Sequence, residues 1–305
     1  MLSVDECKVL FVSFLNSHGN YSSYTVVSYE TDIQQFLSFL KDQTTNNDPL
    51  INSVDNACIS AFKEELIYKG LKNSTLARKL TALRVFFRFL CREKMIAANP
   101  TLFIENPKVP PLESREIPLE NIKKAIEEIS DGTFVGVRDR AILEVFYGGG
   151  IRLGELVRLN IGSLDLKGGL LFVGNKTKGN RVAPIGRPAV EALVDYIRLR
   201  GCLIKDLGIK ESPEALFLGV NARPLSRRAI QKRVFSGLDR VVDSKNLNPN
   251  MLRQSFKTHL LNSGADVASV RYMLGQVVVS SSKGPKKISV EKLTKVYAQA
   301  HPRSE

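Results

Sequence analysis

Along the first hundred residues, apolar side chains fall at helical spacing. Between 24 and 40, Val27, Tyr29, Ile33, Phe36, Leu37 and Leu40 share one helix face. The stretch 74–90 is cleaner. Leu76, Leu80, Leu83, Phe87 and Leu90 advance by four, three, four and three, Asn73 or Ser74 is placed to cap the start, and Arg78, Lys79, Arg84 and Arg88 occupy the other faces. The pattern then breaks. Residues 105–118 read ENPKVPPLESREIP, with four prolines in fourteen residues. Neither a helix nor a central strand tolerates that, because each proline lacks the N–H that the hydrogen-bond ladder requires. Residues 105–117 are therefore an expected linker between a helical domain over 1–104 and a second domain over 118–305.

Beyond the linker, helical patterns over 119–129 and 137–147 lead into three glycines, 148–150, and a short amphipathic run over 151–159. Two brief apolar runs, 170–173 and 182–185, flank a polar stretch at 174–181 and predict a β-hairpin. Helical periodicity resumes over 189–200, 226–238 and 251–263. From 277 to 287 (VVVSSSKGPKK) it is absent, and a Gly-Pro pair interrupts the chain. No internal repeat recurs at a fixed period. The pattern predicts a mainly α fold with a small β-sheet, and 305 residues suit two domains of ordinary size.

Charge changes the picture most. Lys and Arg number 44 against 31 Asp and Glu, a net charge of +13 that favours a polyanionic partner. The excess is uneven: residues 1–110 hold 12 basic and 11 acidic side chains, and the remainder hold 32 and 20. The first part is polarised too, with nine basic residues and three acids between Lys63 and Lys94. No run approaches eighteen uninterrupted apolar residues, so no membrane span is expected. The opening MLSVDECKVL carries two acids and lacks the basic start of a secretory signal. Four cysteines, Cys7, Cys58, Cys91 and Cys202, lack CxxC spacing. They read as reduced thiols of a cytoplasmic protein, and no metal site is expected.

Three cations stand out by context. Arg152 follows the glycines in GGGIRLGEL, where the backbone can bend toward a ligand, and Glu155 lies three residues on to orient it. Lys176 sits at the tip of the predicted hairpin in GNKTKGNR, and Arg253 opens an amphipathic helix in NPNMLRQSFKTHLL. Taken singly, an ordinary Arg–Glu helix pair, a solvated turn lysine and a surface arginine account for them equally well.

Together, the segments bearing them resemble the tyrosine site-specific recombinases of the phage integrase family, Xer type. STLARKLTALRVFFRFL followed by ANP is similar to that family's core-binding helix. VRDRAILEVFYGGGIRLGELVRLNIGSLDL is similar to the block with the first catalytic arginine, and NKTKGNRVAPIG to the hairpin with the catalytic lysine. ALFLGVNARPLSRRAIQKRVF resembles a segment that lies along DNA, and MLRQSFKTHLLNSGADVASVRYMLGQ the block with the second arginine. The ending VYAQAHPR resembles the XerC branch. The resemblance implies an N-terminal SAM-like core-binding domain and a C-terminal catalytic domain that together clamp double-stranded DNA. A tyrosine attacks the phosphodiester, forming a 3′-phosphotyrosyl bond that a partner strand's 5′-hydroxyl resolves, in chromosome dimer resolution or integration. It further implies a homo- or hetero-tetramer of recombinase subunits and no cofactor, because bond energy is kept in the phosphotyrosine. By this resemblance Arg152 and Arg253 hold the non-bridging oxygens, while Lys176, or else Lys178, protonates the leaving oxygen. From the polar faces of the two most basic helices, Arg78, Arg84, Arg227, Arg228 and Lys232, with Ser226 as a cap, are expected to face DNA.

The chain departs from that pattern where protons and the nucleophile are handled. Asn250, Gln254 and Gln276 stand where the family has histidines. Amides donate hydrogen bonds but do not exchange a proton near neutral pH. The nucleophile position, counted nine residues after Gln276 or twelve before Tyr297, is Pro285. Tyr297 is the only tyrosine after Gln276, and its own match is a non-catalytic tyrosine of the tail. Two readings follow: a recombinase that uses Tyr297, or a member that binds DNA or a recombinase partner without cutting. Arg152, Lys176 and Arg253 are expected to converge, with Asn250 and Gln276 bordering them. Pro285 is expected on an irregular segment, and Tyr297 on a C-terminal helix pointing away, as in tails that dock on a neighbouring subunit.

Overall fold

The computed structural model describes residues 3–17, 21–43, 50–110, 116–129, 132–175, 179–239, 241–242, 247–276 and 288–304. The chain forms two compact units, Met1–Leu112 and Glu113–Glu305. The first contains α1 (Val4–Ser17), α2 (Ser23–Gln43), α3 (Asn56–Tyr68) and α4 (Asn73–Arg92). Their apolar stripes meet in a phenylalanine-rich core, with Phe11, Phe36, Phe62, Phe86 and Phe87 fully buried. Edge-to-face ring pairs join Phe11 to Phe86 and Phe36 to Phe62. α4 carries no side-chain cap; Lys72 holds the cap position. Asn73, read from sequence as a cap, instead donates its side-chain amide to the Lys108 carbonyl, because the outgoing chain passes beside it. Lys63 binds the Glu105 carbonyl in the same way. Residues 105–108 are thus pinned to their own unit, while Ile117 is buried in the second and donates its N–H to Ser255 Oγ.

In the second unit, α5 (Leu119–Glu127) leads to α6 (Phe134–Gly148), whose residues 141–148 are all buried. A helix segment buried on every side belongs at the centre of a domain. α8 (Arg187–Asp206), α9 (Arg227–Leu238) and α10 (Asn250–Asn262) pack around it. α7 (Leu153–Val157) follows the glycines. The antiparallel sheet runs β1 (Leu164–Asp165), β2 (Leu170–Asn175), β3 (Gly179–Pro184) in that order. The hairpin reaches further into the polar stretch than its apolar residues suggest, since Gly174 pairs with Asn180 and Asn175 with Gly179. α11 (Val267–Met273) and α12 (Val290–Ala300) complete the unit. Among the described residues no helix is long and apolar enough to cross a membrane.

The described residues 288–304 are fastened onto their own unit. Gly186 N–H donates to Tyr297 Oη at 3.0 Å, and a Cβ on Gly186 would stand 1.7 Å from the Arg303 carbonyl oxygen. Only glycine admits the tail there. Arg303 forks onto buried Glu144, with Nε at 3.0 Å from Oε2 and Nη2 on Oε1. His301 stacks on Tyr297 with centroids 4.5 Å apart. Its Nδ1 accepts from Arg303 N–H, and its buried Nε2 has no partner among the described residues.

A proton on His301 has nowhere to go: Nδ1 faces a donor, and charge on the ring would be buried. Burial foremost, then His259 and Arg303, pushes its pKa down to about 3. The folded value lies below the unfolded one, so this contribution is complete above pH ~6.5 and falls as pH drops below it. The second unit is expected to lose about 2 kcal/mol of stability from this group between neutral pH and pH ~5. Thermal unfolding of wild type and His301→Asn across that range checks it: the variant should show a shallower decline, and an equal decline would discard the assignment.

Candidate functional site

The site is built where α6 ends. Gly150 adopts φ +53°, and a Cβ there would lie 2.4 Å from the Phe256 ring, so only glycine lets the chain turn against α10. The turn delivers Arg152 to the start of α7. Arg152 N–H donates to Glu155 Oε2 at 2.6 Å, and its Nη1 to Glu155 Oε1 at 2.9 Å. Arg181, on β3, donates Nη2 to the same Oε2 at 2.8 Å. Burial raises the Glu155 pKa, but Arg181 together with the backbone and guanidinium of Arg152 outweighs it and holds the carboxyl below its ordinary value. One carboxylate thereby joins the hairpin to the arginine turn.

α10 presents Asn250, Arg253, Gln254 and Lys257, spaced i, i+3, i+4 and i+7, which is one helix face. All four line a cavity of about 210 Å³ with Arg152, Leu274 and Gln276. At ~30 Å³ per water, that space holds a phosphate group with solvent. Arg253 is 8% exposed, and its guanidinium is aimed by two carbonyls: Nη1 donates to Gly150 O at 2.6 Å, and Nη2 to Leu274 O. Burial, then the neighbouring Arg152 and Arg181, pushes its pKa down to about 10, so it stays charged at neutral pH. Arg152, with its side chain 48% exposed, reaches outward from the same wall. A buried and an exposed guanidinium on one small cavity suit an oxyanion with several oxygens, whose charge offsets their repulsion.

The structure thus brings together Arg152, Arg253, Asn250 and Gln276. Lys176, Lys178 and Pro285 lie outside the described residues. Tyr297 sits on α12, 3% exposed, and is not among the residues lining the cavity; burial above all raises its hydroxyl pKa. As folded, it is a core residue whose hydroxyl receives the Gly186 N–H. Tyr297 lies on the C-terminal helix and outside the cavity lining, and the Gly186 cradle and the Arg303–Glu144 pair fasten this segment to its own unit.

Two participants escaped the sequence reading. Arg181 shares a β3 face with buried Ala183 and Ile185, so strand alternation already placed it inward. Its Nη1 is buried without a partner among the described residues, and a Cβ on Gly275 would lie 2.7 Å from its Nε. Lys257 was legible as the i+4 neighbour of Arg253.

Of the residues assigned to DNA, Arg227, Arg228 and Lys232 are exposed on α9, and Ser226 caps that helix by accepting from Ala229 N–H at 3.2 Å. The two α4 arginines are engaged within the chain. Arg78 pairs with buried Asp32, which Lys79 also binds at 2.9 Å. Arg84 donates to the Ile104 carbonyl and to Asn106 Oδ1.

Comparison with known proteins agrees with this architecture. Residues 115–282 match the model of the Phage integrase family, and residues 9–94 match the Phage integrase N-terminal SAM-like domain. The chain therefore belongs to the phage integrase family, the tyrosine recombinases. Tyrosine recombinase XerC of Pelotomaculum thermopropionicum is 35% identical over 297 residues, covering 96% of this chain and 97% of the relative. That of Bacillus subtilis is 36% identical over 304 residues, covering 97% and 96%. Among solved structures, the Tn1549 transposon integrase in complex with transposon right end DNA aligns with TM-score 0.67 at 18% identity, covering 98% of this chain and 96% of that one. A lambda integrase dimer bound to a COC′ core site gives 0.65 at 16%, covering 95% and 100%.

Arg181→Ala would leave Glu155 partly buried with one partner instead of two. Removing one side of such a pair costs about 3 kcal/mol. Denaturant unfolding near neutral pH is expected to show a loss of that order, with Arg181→Lys restoring only part because lysine lacks the planar fork. Glu155 titrates below its ordinary value when folded, so the deficit should shrink as pH falls through that value. An unchanged midpoint would remove the bridge from the account.

Proposed function

We propose that this chain binds duplex DNA, holds one backbone phosphate between Arg152 and Arg253, and forms no phosphotyrosyl bond of its own. It acts as a non-cleaving member of a recombinase assembly. The observation that carries this reading is the position of Tyr297. The one tyrosine after Gln276 is buried, bonded to Gly186 and stacked on His301. Attack on phosphorus needs an oxygen held against the phosphate, and a hydroxyl whose pKa burial raises is a poor nucleophile even when it arrives. The amides at Asn250, Gln254 and Gln276 fit a site that grips without moving protons.

Several features support DNA as the partner. The net charge is +13, and α9 exposes a basic face whose start is capped by Ser226. Related integrases were solved on DNA, as a dimer on a core site and as a tetramer on a Holliday junction. The XerC relatives and these assemblies favour double-stranded DNA and further recombinase subunits as partners.

A nicked suicide duplex, chosen because wild type binds it, tests the reading. No detergent-stable protein–DNA adduct should form, while log affinity should fall linearly with log salt. The double variant Arg227→Ala, Arg228→Ala should lower that slope by about 1.8, two phosphate contacts at ~0.9 each. An adduct that Tyr297→Phe abolishes would contradict the reading and return Tyr297 to the reaction.

A further inference from the structure

We propose that Lys257 is a third cationic ligand of the phosphate held by Arg152 and Arg253, an inference that rests on reading the cavity as a phosphate site. Lys257 lies one turn beyond Arg253 on α10, about 6 Å further along the axis, on the face that also carries Asn250 and Gln254. It lines the same cavity of about 210 Å³. Apart from the two arginines and the apolar Leu274, the other lining side chains are the amides of Asn250, Gln254 and Gln276. Lys257 alone among those remaining brings a formal charge.

The electrostatic setting singles it out. Glu155 is shared between Arg152 and Arg181. Arg253 is committed to the carbonyls of Gly150 and Leu274. Lys257 is half-buried and forms no ion pair with a described carboxylate. A flexible ammonium with no ion-pair partner among the described residues, on the wall of a cavity already holding two guanidiniums, raises the cost of leaving the cavity empty and the gain on filling it with an anion. The lysine can close over an oxygen that the fixed arginine forks leave open, because its charge is a point on a four-carbon stem. Lys257 thus tunes how tightly the target phosphate is gripped.

The test uses the full-length chain and a duplex that wild type selects from a random pool. Single uncharged methylphosphonates are placed along one strand at a time. The position at which Arg152→Gln ceases to weaken binding identifies the cavity phosphate. On the unmodified duplex, Lys257→Gln should weaken binding about tenfold, the size of one charge-assisted contact, and lower the salt slope by about 0.9. With the methylphosphonate at the identified position, the same substitution should cost nothing, while Lys257→Arg should retain most of the affinity on the charged duplex. Equal weakening on both duplexes, or none on either, would overturn the role of Lys257 and leave DNA binding standing. If wild type selects no duplex at all, the DNA-binding reading falls and takes this inference with it.

Discussion

The carboxylate of Glu155 organises the site. It accepts from the Arg152 backbone, from the Arg152 guanidinium and from Arg181, so one half-buried anion fixes two cations that would otherwise repel. Through Arg181 it ties β3 to the arginine turn, and Arg181 packs in turn against Gly275, beside the Leu274 carbonyl that orients Arg253. Through Arg152 it anchors the chain just after Gly150, whose carbonyl is the second partner of Arg253. Four segments distant in sequence are therefore registered against each other by hydrogen bonds around a single charge. A phosphate entering the cavity meets donors whose positions are already set, which is the condition for strong electrostatic binding without reorganisation.

The same economy appears at the far end of the chain, where Glu144 lies under Arg303 and Gly186 under the passing backbone. There the consequence is opposite. The tail contacts consume the one downstream tyrosine, placing its hydroxyl on a backbone amide rather than near the arginines. If the cavity holds a phosphate, grip and attack are separable: the first would rest on α7, β3 and α10, and the second on a hydroxyl at the position counted nine residues after Gln276. This chain keeps the residues of the first and has Pro285 at the counted position of the second.

Much of this was legible in the sequence. Helical periodicity gave α2, α4 and the basic helix at 227–238 nearly to their ends, because their stripes are apolar at i, i+3 and i+4. The triple glycine marked the turn at Gly150, and the resemblance located Arg152 and Arg253. What escaped depends on tertiary partners. Arg181 reads as one more cation in a polar turn until strand pairing carries it inward onto Glu155. Arg78 stays exposed, as its place in the pattern implies, but its pairing with Asp32 and the binding of Arg84 to the segment after α4 are tertiary contacts that the sequence does not show. β1 has two residues and exists only by pairing with β2. Asn73 is not the cap of α4 because it is already the first helical residue, with Lys72 at the cap position.

The central claim is that the phosphate grip is whole and that the means of attack and proton transfer are what the chain lacks. Restoring them in one variant, Asn250→His, Gln254→His, Gln276→His and Pro285→Tyr together, addresses it directly on the nicked suicide duplex. The account predicts a detergent-stable DNA adduct absent from wild type and lost again when Arg152→Ala is added. A variant that binds DNA as wild type does, yet forms no adduct, would contradict it by showing that the arginine cavity is not arranged for a phosphate undergoing attack.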